Sequence, residues 1–339
     1  MRILITGITG FVGSHLADFI FENFPLAEVW GLKRYHLSRL EHVKHIYDRI
    51  NWVDCDITDS KAALEALELC KPDKIFHCAA ESFVSPSWRH PRRYMDVNYT
   101  GTVNLLDAMQ RLGMTDVPFH IPGSGEEYGE AFENELPLTE KSILRPVNPY
   151  AVTKIAQDLI GLVYNRSYGL KIIRTRAFNH EGPRREKVFG IPWYAYQIAR
   201  IEAGIQESII KTGYLGDKRN FTHVHDMVNA YWIASEKCDP GELYLIGNED
   251  DSSVHTFEQA LQGLIGLSNL SFNDIEVIEE KKYVRPTKVP FLIGDMTKFK
   301  TKTDWAPKLT FNDILKDTLD YWRIRIKDES STRLNMGEE

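Results

Sequence analysis

Tyr150 and Lys154 stand four residues apart, one turn of a helix, so their side chains rise from the same face with an ammonium beside a phenol. A cation there lowers a phenol's pKa from its usual value of about 10. The phenolate can then take the proton of a hydroxyl as hydride leaves the same carbon. That chemistry needs a hydride acceptor alongside, and Gly7-Ile-Thr-Gly10-Phe-Val-Gly13 offers its seat. Gly7 permits a tight turn, Gly10 lets backbone amides approach a pyrophosphate, and Gly13 lets a helix lie close to a strand. Thr9, Phe11 and Val12 complete the turn, and the helix N-terminus that follows favours phosphate charge.

A second pair sits in Gly123-Ser124-Gly125-Glu126-Glu127-Tyr128-Gly129, where a parallel strand is expected to end and where ligands of open α/β sheets collect. Strand alternation points Ser124 and Glu126 the same way. Ser124 can bond a sugar hydroxyl beside Tyr150, and a partly desolvated Glu126 can take a proton from carbon. Glu127 falls on the opposite side and reads as an exposed turn carboxylate.

These groups need a scaffold, and the chain alternates strand and helix. Met1–Thr6 reads as a buried strand and the segment from Ser14 as a helix. Strands follow at Glu28–Lys33, from Asn51 to Asp56, at Lys74–Ala80, up to Ser124 and from Lys171. The expected fold is α/β, a Rossmann-type doubly wound parallel sheet with a smaller C-terminal substrate-binding lobe. Residues 1–178, with a returning segment at about 220–248, form the dinucleotide-binding domain. Residues 179–219 and 249–328 form the second lobe, and 329–339 reads as a polar, unordered tail. Lys33 and Arg34 close the second strand where an NAD site more often carries an acid, which points to NADP, with NAD the alternative. Asp56 is placed to meet the adenine, and Ala79 and Ala80 are small enough for close cofactor approach.

At 339 residues, 43% hydrophobic and 26% charged, the composition is that of a globular protein with a core. A net charge of −7 argues against general nucleic-acid binding. Cys55, Cys70, Cys78 and Cys238 have no metal or CxxC spacing and read as reduced and structural, and no metal is expected. Neither a cleavable leader nor a membrane-length apolar run is seen, so the expected location is cytoplasmic.

The glycine turn, the Ser124–Gly129 segment and Tyr150-x-x-x-Lys154 resemble the extended short-chain dehydrogenase/reductases that act on nucleotide sugars, over nearly the whole chain. Thr6–Gly10, Asn179-His-Glu-Gly-Pro-Arg-Arg185 and Arg285–Lys298 with Trp305-Ala-Pro307 resemble the GDP-mannose 4,6-dehydratases within that group. The resemblance implies that Ser124, Glu126, Tyr150 and Lys154 are catalytic. It implies that Lys33, Arg34, Asp56, Ile57, His180 and Arg185 contact NADP, and that Ser82, Asn179, Arg219 and Arg285 meet a GDP-linked nucleotide-sugar substrate. It further implies a homodimer or homotetramer, with 34–39 as an interface candidate. The implied reaction is 4-oxidation, loss of water from carbons 5 and 6 aided by Glu126, and return of the hydride to carbon 6. Phe11 and Val12 stand where those dehydratases carry Gln-Asp, Ser124 where they carry Thr, and Gly125 adds no side-chain acid. Ser-Gly-Glu-Glu-Tyr-Gly and Ser87-Trp88 also resemble GDP-4-keto-6-deoxymannose reductases. A reductase, an epimerase and, in a different class, a non-catalytic dinucleotide-binding protein therefore stand as alternatives.

Overall fold

The computed structural model describes residues 1–336. Six strands, β1 (Arg2–Thr6), β2 (Glu28–Lys33), β3 (Ile50–Asp54), β4 (Lys74–His77), β5 (Phe119–Ser124) and β6 (Ile172–Ala177), join the strand Leu243–Ile246 in one seven-stranded sheet. Every pairing is parallel, in the order β3-β2-β1-β4-β5-β6 and then Leu243–Ile246. That is the expected doubly wound sheet, with its crossover point between β1 and β4. β4 and β6 are buried along their whole length, as strands covered by helices on both faces must be.

The helices are α1 (Phe11–Asn23), α2 (Ser60–Cys70), α3 (Pro91–Met95), α4 (Gly101–Arg111), α5 (Pro149–Tyr168), α6 (Gly190–Glu202), α7 (Val224–Lys237), α8 (Phe257–Gly266), α9 (Thr297–Thr303) and α10 (Phe311–Met336). Leu16 and Ile20 of α1 meet Met227 and Tyr231 of α7 on one face of the sheet. Leu67 of α2, Leu105 and Met109 of α4 and Tyr164 of α5 cover the other. A second core forms from Ile198 of α6, Leu264 of α8 and Leu319 of α10. Tyr128, Phe178, Leu245, Leu292 and Met296 make a smaller cluster beside the site.

Two expected boundaries differ. Phe299 and Trp305, inside the span read as second lobe, belong to the first core with α1 and α7. Trp305 Nε1 donates to Asn229 Oδ1 at 2.9 Å, and Lys237 Nζ donates to the Thr303 carbonyl at 2.7 Å. Large aromatics flanked by polar residues found their dry surface on α7 instead. The stretch read as an unordered tail is helical through Met336, because neither Gly nor Pro interrupts it before Gly337; residues 337–339 lie outside the described ones. Among the described residues, no helix is long and apolar enough to cross a membrane.

Candidate active site

α1 starts immediately after the glycine turn, with Gly10 as its N-cap, no side-chain cap and no acid in its first turn. Its leading amides therefore lack side-chain partners and carry the positive end of the helix dipole. Gly7 has φ +67°, and a Cβ there would lie 2.7 Å from the Ala79 nitrogen; one on Gly13 would lie 2.4 Å from the Gly7 carbonyl oxygen. Backbone thus crowds this turn from both sides while a cleft of about 500 Å³ opens above it. Uncapped amides, an absent acid and a side-chain-free floor fit a dinucleotide's diphosphate.

Leu32, Arg34, Ser38, Asp56 and Ile57 line the cleft on the β2–β3 side, and Ser124, Glu126, Tyr150, Asn179 and Arg285 line it on the β5–β6 side. Ala79, Ala80, Ser82, His180 and Arg185 complete the set that the cleft brings together. Lys33 and Arg219 do not line it. Parallel register sets Lys33 opposite Asp54, and the two form a 2.5 Å ion pair, so alternation leaves Arg34 as the cation facing the cleft. Arg219 is 3% exposed and donates to the Lys218 carbonyl at 2.9 Å and to Asp217 at 3.3 Å. Its charge still reaches the cleft, where it helps to lower the Glu126 carboxyl.

Asn148 caps α5, accepting from the Ala151 amide at 2.7 Å, with Pro149 at the first helical position. This start places Tyr150 against the end of β5, where its hydroxyl hydrogen-bonds the Ser124 side chain. Lys154 is buried one turn on and does not line the cleft. Its Nζ donates to the Pro122 carbonyl at 2.6 Å and to Gln157 Oε1. Burial lowers the ammonium to about 8 while Glu127 and Asp158 pull it upward. The phenol differs from expectation: burial, with Glu126 and Glu127 adding to it, pushes Tyr150 upward against its bond to Ser124. Desolvation prevails; the cation that opposes it is Arg185 and not Lys154, and Tyr150 rests as the protonated phenol.

Ser124 and Glu126 share the cleft for a different reason than strand alternation. β5 ends at Ser124, and Gly125–Glu127 forms a 3₁₀ turn. Ser124 Oγ accepts from the Glu126 amide at 3.2 Å, and Glu127 Oε1 accepts from the Ser124 amide at 2.8 Å, a reciprocal cap. Glu126 accepts from Asn148 Nδ2 and from Arg285 Nη1, each at 2.9 Å. Burial alone would push its carboxyl up, but the charges of Arg285 and Arg219 and these two bonds hold it below its usual value. Glu126 is therefore an ionised carboxylate on the cleft wall.

Glu127 is not the exposed turn residue its position suggested, being 0% exposed. It accepts from Arg176 Nε at 2.6 Å. Arg176 also bonds Asp158 at 2.8 Å, and Arg174 reaches Asp158 at 2.6 Å. This buried network welds the Gly125–Glu127 turn to β6 and α5. Glu127→Ala leaves a buried guanidinium short of one counter-charge and is expected to cost about 3–5 kcal/mol, read as a lower urea midpoint. A midpoint equal to the parent's contradicts that role.

Phe11, where a polar residue was the familial expectation, stacks on His180 with ring centroids 5.9 Å apart, and Arg185 lies over the Phe11 ring at 5.2 Å and over Phe189 at 4.0 Å. Arg185 is steadied by Glu181 at 2.9 Å, and His180 Nδ1 pairs with the Phe178 carbonyl at 2.9 Å. Asn98, unmarked in the sequence reading, exchanges bonds of 2.8 and 3.1 Å with the Glu81 backbone and donates to Thr153 at 2.9 Å. It fixes the strip carrying Ala80 and Ser82. Asn148, Glu127 and Asn98 were missed because their roles depend on partners far along the chain; the Asn148-Pro149 cap and the Ser124-x-x-Glu127 capping box were the local signals. The four cysteines are free. Glu41, His42 and Glu186 approach one another, but Arg325 at 2.8 Å from Glu41 already supplies a cation.

The GDP-mannose 4,6 dehydratase family profile matches residues 4–318. The chain is 30% identical to GDP-6-deoxy-D-mannose reductase of Pseudomonas aeruginosa over 97% of this chain and 99% of that protein. It is 31% identical to human GDP-mannose 4,6 dehydratase over 93% of this chain and 89% of the relative. Among solved structures it resembles RMD from Pseudomonas aeruginosa complexed with NADPH, at TM-score 0.81 and 26% identity over 96% of this chain and all of that one. It also resembles UDP-glucose 4-epimerase of Thermotoga maritima with UDP-glucose, at TM-score 0.83 and 27% identity over 96% of this chain and 100% of that one.

Proposed function

This chain belongs to the GDP-mannose 4,6-dehydratase family, and within it we propose that it removes water from a GDP-mannose-like nucleotide sugar, with NADP as a cofactor that ends the cycle unchanged. The observation that carries this reading is Glu126, an ionised carboxylate held by Arg285 and Asn148 at 2.9 Å on the same wall as Tyr150 and Ser124. A reductase has no step that uses such a base, yet its Ser-Gly-Glu-Glu-Tyr-Gly segment carries the same glutamate, so redox balance and not the presence of Glu126 separates the two reactions.

Bound NADP supplies the hydride acceptor for carbon 4 of the sugar and the donor for carbon 6. Arg34 is the cleft cation suited to its 2′-phosphate, and the α1 amides to its diphosphate. Ser124 and Tyr150 hold the 4-hydroxyl, and Tyr150, in its phenolate form and supported by Lys154, takes that proton as the carbon is oxidised. The 4-ketone acidifies the carbon 5 hydrogen. Glu126 takes it and passes it to the departing 6-hydroxyl, so water leaves without a second side-chain acid. The proton that Tyr150 took from the 4-hydroxyl passes through solvent to carbon 5 as hydride arrives at carbon 6, both side chains return to their starting forms, and the net change is loss of one water.

Arg285 sits where an incoming diphosphate competes with Glu126 for its guanidinium. Arg285→Met is expected to raise KM and to let burial prevail at Glu126. The acid limb of kcat/KM then moves to higher pH, by roughly 1 to 3, because activity needs the ionised carboxylate and a raised pKa delays ionisation. A limb that stays in place contradicts the clamp.

One observation favours the reductase reading. Tyr150 rests protonated, which is the form that donates to a 4-ketone, and the reductase relative matches over 99% of its own length. A reductase consumes NADPH mole for mole, whereas the dehydratase turns over with trace NADP.

A further inference from the structure

Lys154, Gln157, Thr102, His77, Thr6 and the amide of Ala79 form one continuous buried chain of hydrogen bonds from the redox lysine to the glycine turn. Gln157, Thr102 and Thr6 are 0% exposed and His77 is 1% exposed, so water does not satisfy them.

The direction of every bond in this chain follows from one hydroxyl. Thr102 Oγ1 donates its single proton to the Asn98 carbonyl at 2.7 Å. It must therefore accept from Gln157 Nε2 at 2.8 Å and from His77 Nε2 at 2.9 Å. With its proton on Nε2, neutral His77 accepts at Nδ1 from Thr6 Oγ1 at 2.8 Å, and Thr6 Oγ1 accepts from the Ala79 amide at 3.1 Å. Gln157 thus has its NH₂ turned to Thr102 and its carbonyl turned to Lys154; the opposite rotamer would set an NH₂ against an ammonium. Two of the three N–H groups of Lys154 are taken by Gln157 and Pro122.

We propose that Gln157 is a positioning residue for the redox lysine. Oriented by Thr102, it holds the ammonium by one N–H and leaves the remaining N–H for the cleft side, where Tyr150 and the cofactor ribose meet. The chain then ends on Ala79, which touches the glycine turn, so the lysine is aimed from the same backbone that seats the dinucleotide. This inference needs only Lys154 in a redox role, and holds equally for a dehydratase, reductase or epimerase.

The test reads Lys154 directly in the full-length protein without cofactor, by ¹³C-lysine NMR titration of its Cε signal, assigned by Lys154→Met. Glu127, Asp158 and Cys78 favour the ammonium, His77 and His120 stay neutral because burial holds each at about 3, and Tyr150 is protonated; the substitutions keep all of them. Gln157→Leu removes an acceptor from the charged form and is expected to weaken proton affinity about tenfold from the native value near 8. Gln157→Glu puts a carboxylate there and is expected to strengthen it. Thr102→Val, which frees the Gln157 amide to flip, shifts Lys154 in the Leu direction by less. The same order is expected in the pH profile of kcat, with KM for the sugar unchanged. A Lys154 titration that is the same in the parent, Gln157→Glu and Thr102→Val overturns the proposal, even where thermal stability falls, since a purely structural role lowers stability without moving the lysine.

Discussion

Tyr150→Phe is expected to lower oxidation at carbon 4 by roughly 10²- to 10⁴-fold, with the fold and the binding of NADP intact. The ring is 8% exposed and meets Tyr94 edge-on at 6.4 Å, contacts that phenylalanine keeps. What disappears is the hydroxyl that meets Ser124 and, in the proposed reaction, moves the proton. Single-turnover absorbance of the reduced cofactor, with GDP-mannose in excess, checks the rate, and cofactor fluorescence checks binding. A loss smaller than about tenfold removes Tyr150 from the proton transfer.

Glu126→Gln is expected to separate the two halves of the reaction. The amide keeps the size of the carboxylate and can still accept from Asn148 or Arg285, but it cannot take the carbon 5 proton. Water loss is expected to fall by roughly 10²- to 10⁴-fold while 4-oxidation stays close to the parent rate. With elimination blocked, the hydride has no carbon 6 acceptor, and reduced cofactor accumulates in a single turnover where the parent shows only a transient. If the variant eliminates water at the parent rate, Glu126 is not the base.

Local pattern carried the parts of this molecule that rest on local chemistry. The glycine turn, the strand-helix alternation and the four-residue spacing of Tyr150 and Lys154 were legible because each is set by neighbours in sequence. Lys33 was misread as facing the cleft because its fate depends on register: only pairing of β2 with β3 puts Asp54 across from it. Glu127 looks like a surface charge in a row of letters and Arg219 like a substrate contact, and the burial of both follows from packing between segments far apart in sequence. Phe299 and Trp305 returned to the first core for the same reason, since α7 offers them an apolar face that composition cannot show. The phenol of Tyr150 is the clearest case of competing effects. Spacing put the Lys154 cation beside the phenol, whereas in the assembled site that ammonium turns to Pro122 and Gln157 and the depth of burial raises the phenol.

Glu126 shows both sides at once. Its type and its place after a strand marked it as a candidate base, yet the residues that tune it, Asn148 and Arg285, lie 22 and 159 positions away. Without them burial would favour the neutral acid, which cannot start an elimination. In the proposed reaction the same arginine also meets the substrate diphosphate, so that one guanidinium would set both substrate binding and the strength of the base.

Mass spectrometry of GDP-mannose incubated with the purified protein and trace NADP, with no added reductant, tests the dehydratase reading most directly. The account predicts progressive loss of one water per sugar over many turnovers per cofactor. An unchanged GDP-mannose mass, together with NADPH consumed mole for mole on a 4-keto-6-deoxy sugar nucleotide, contradicts it and assigns the chain to the reductases.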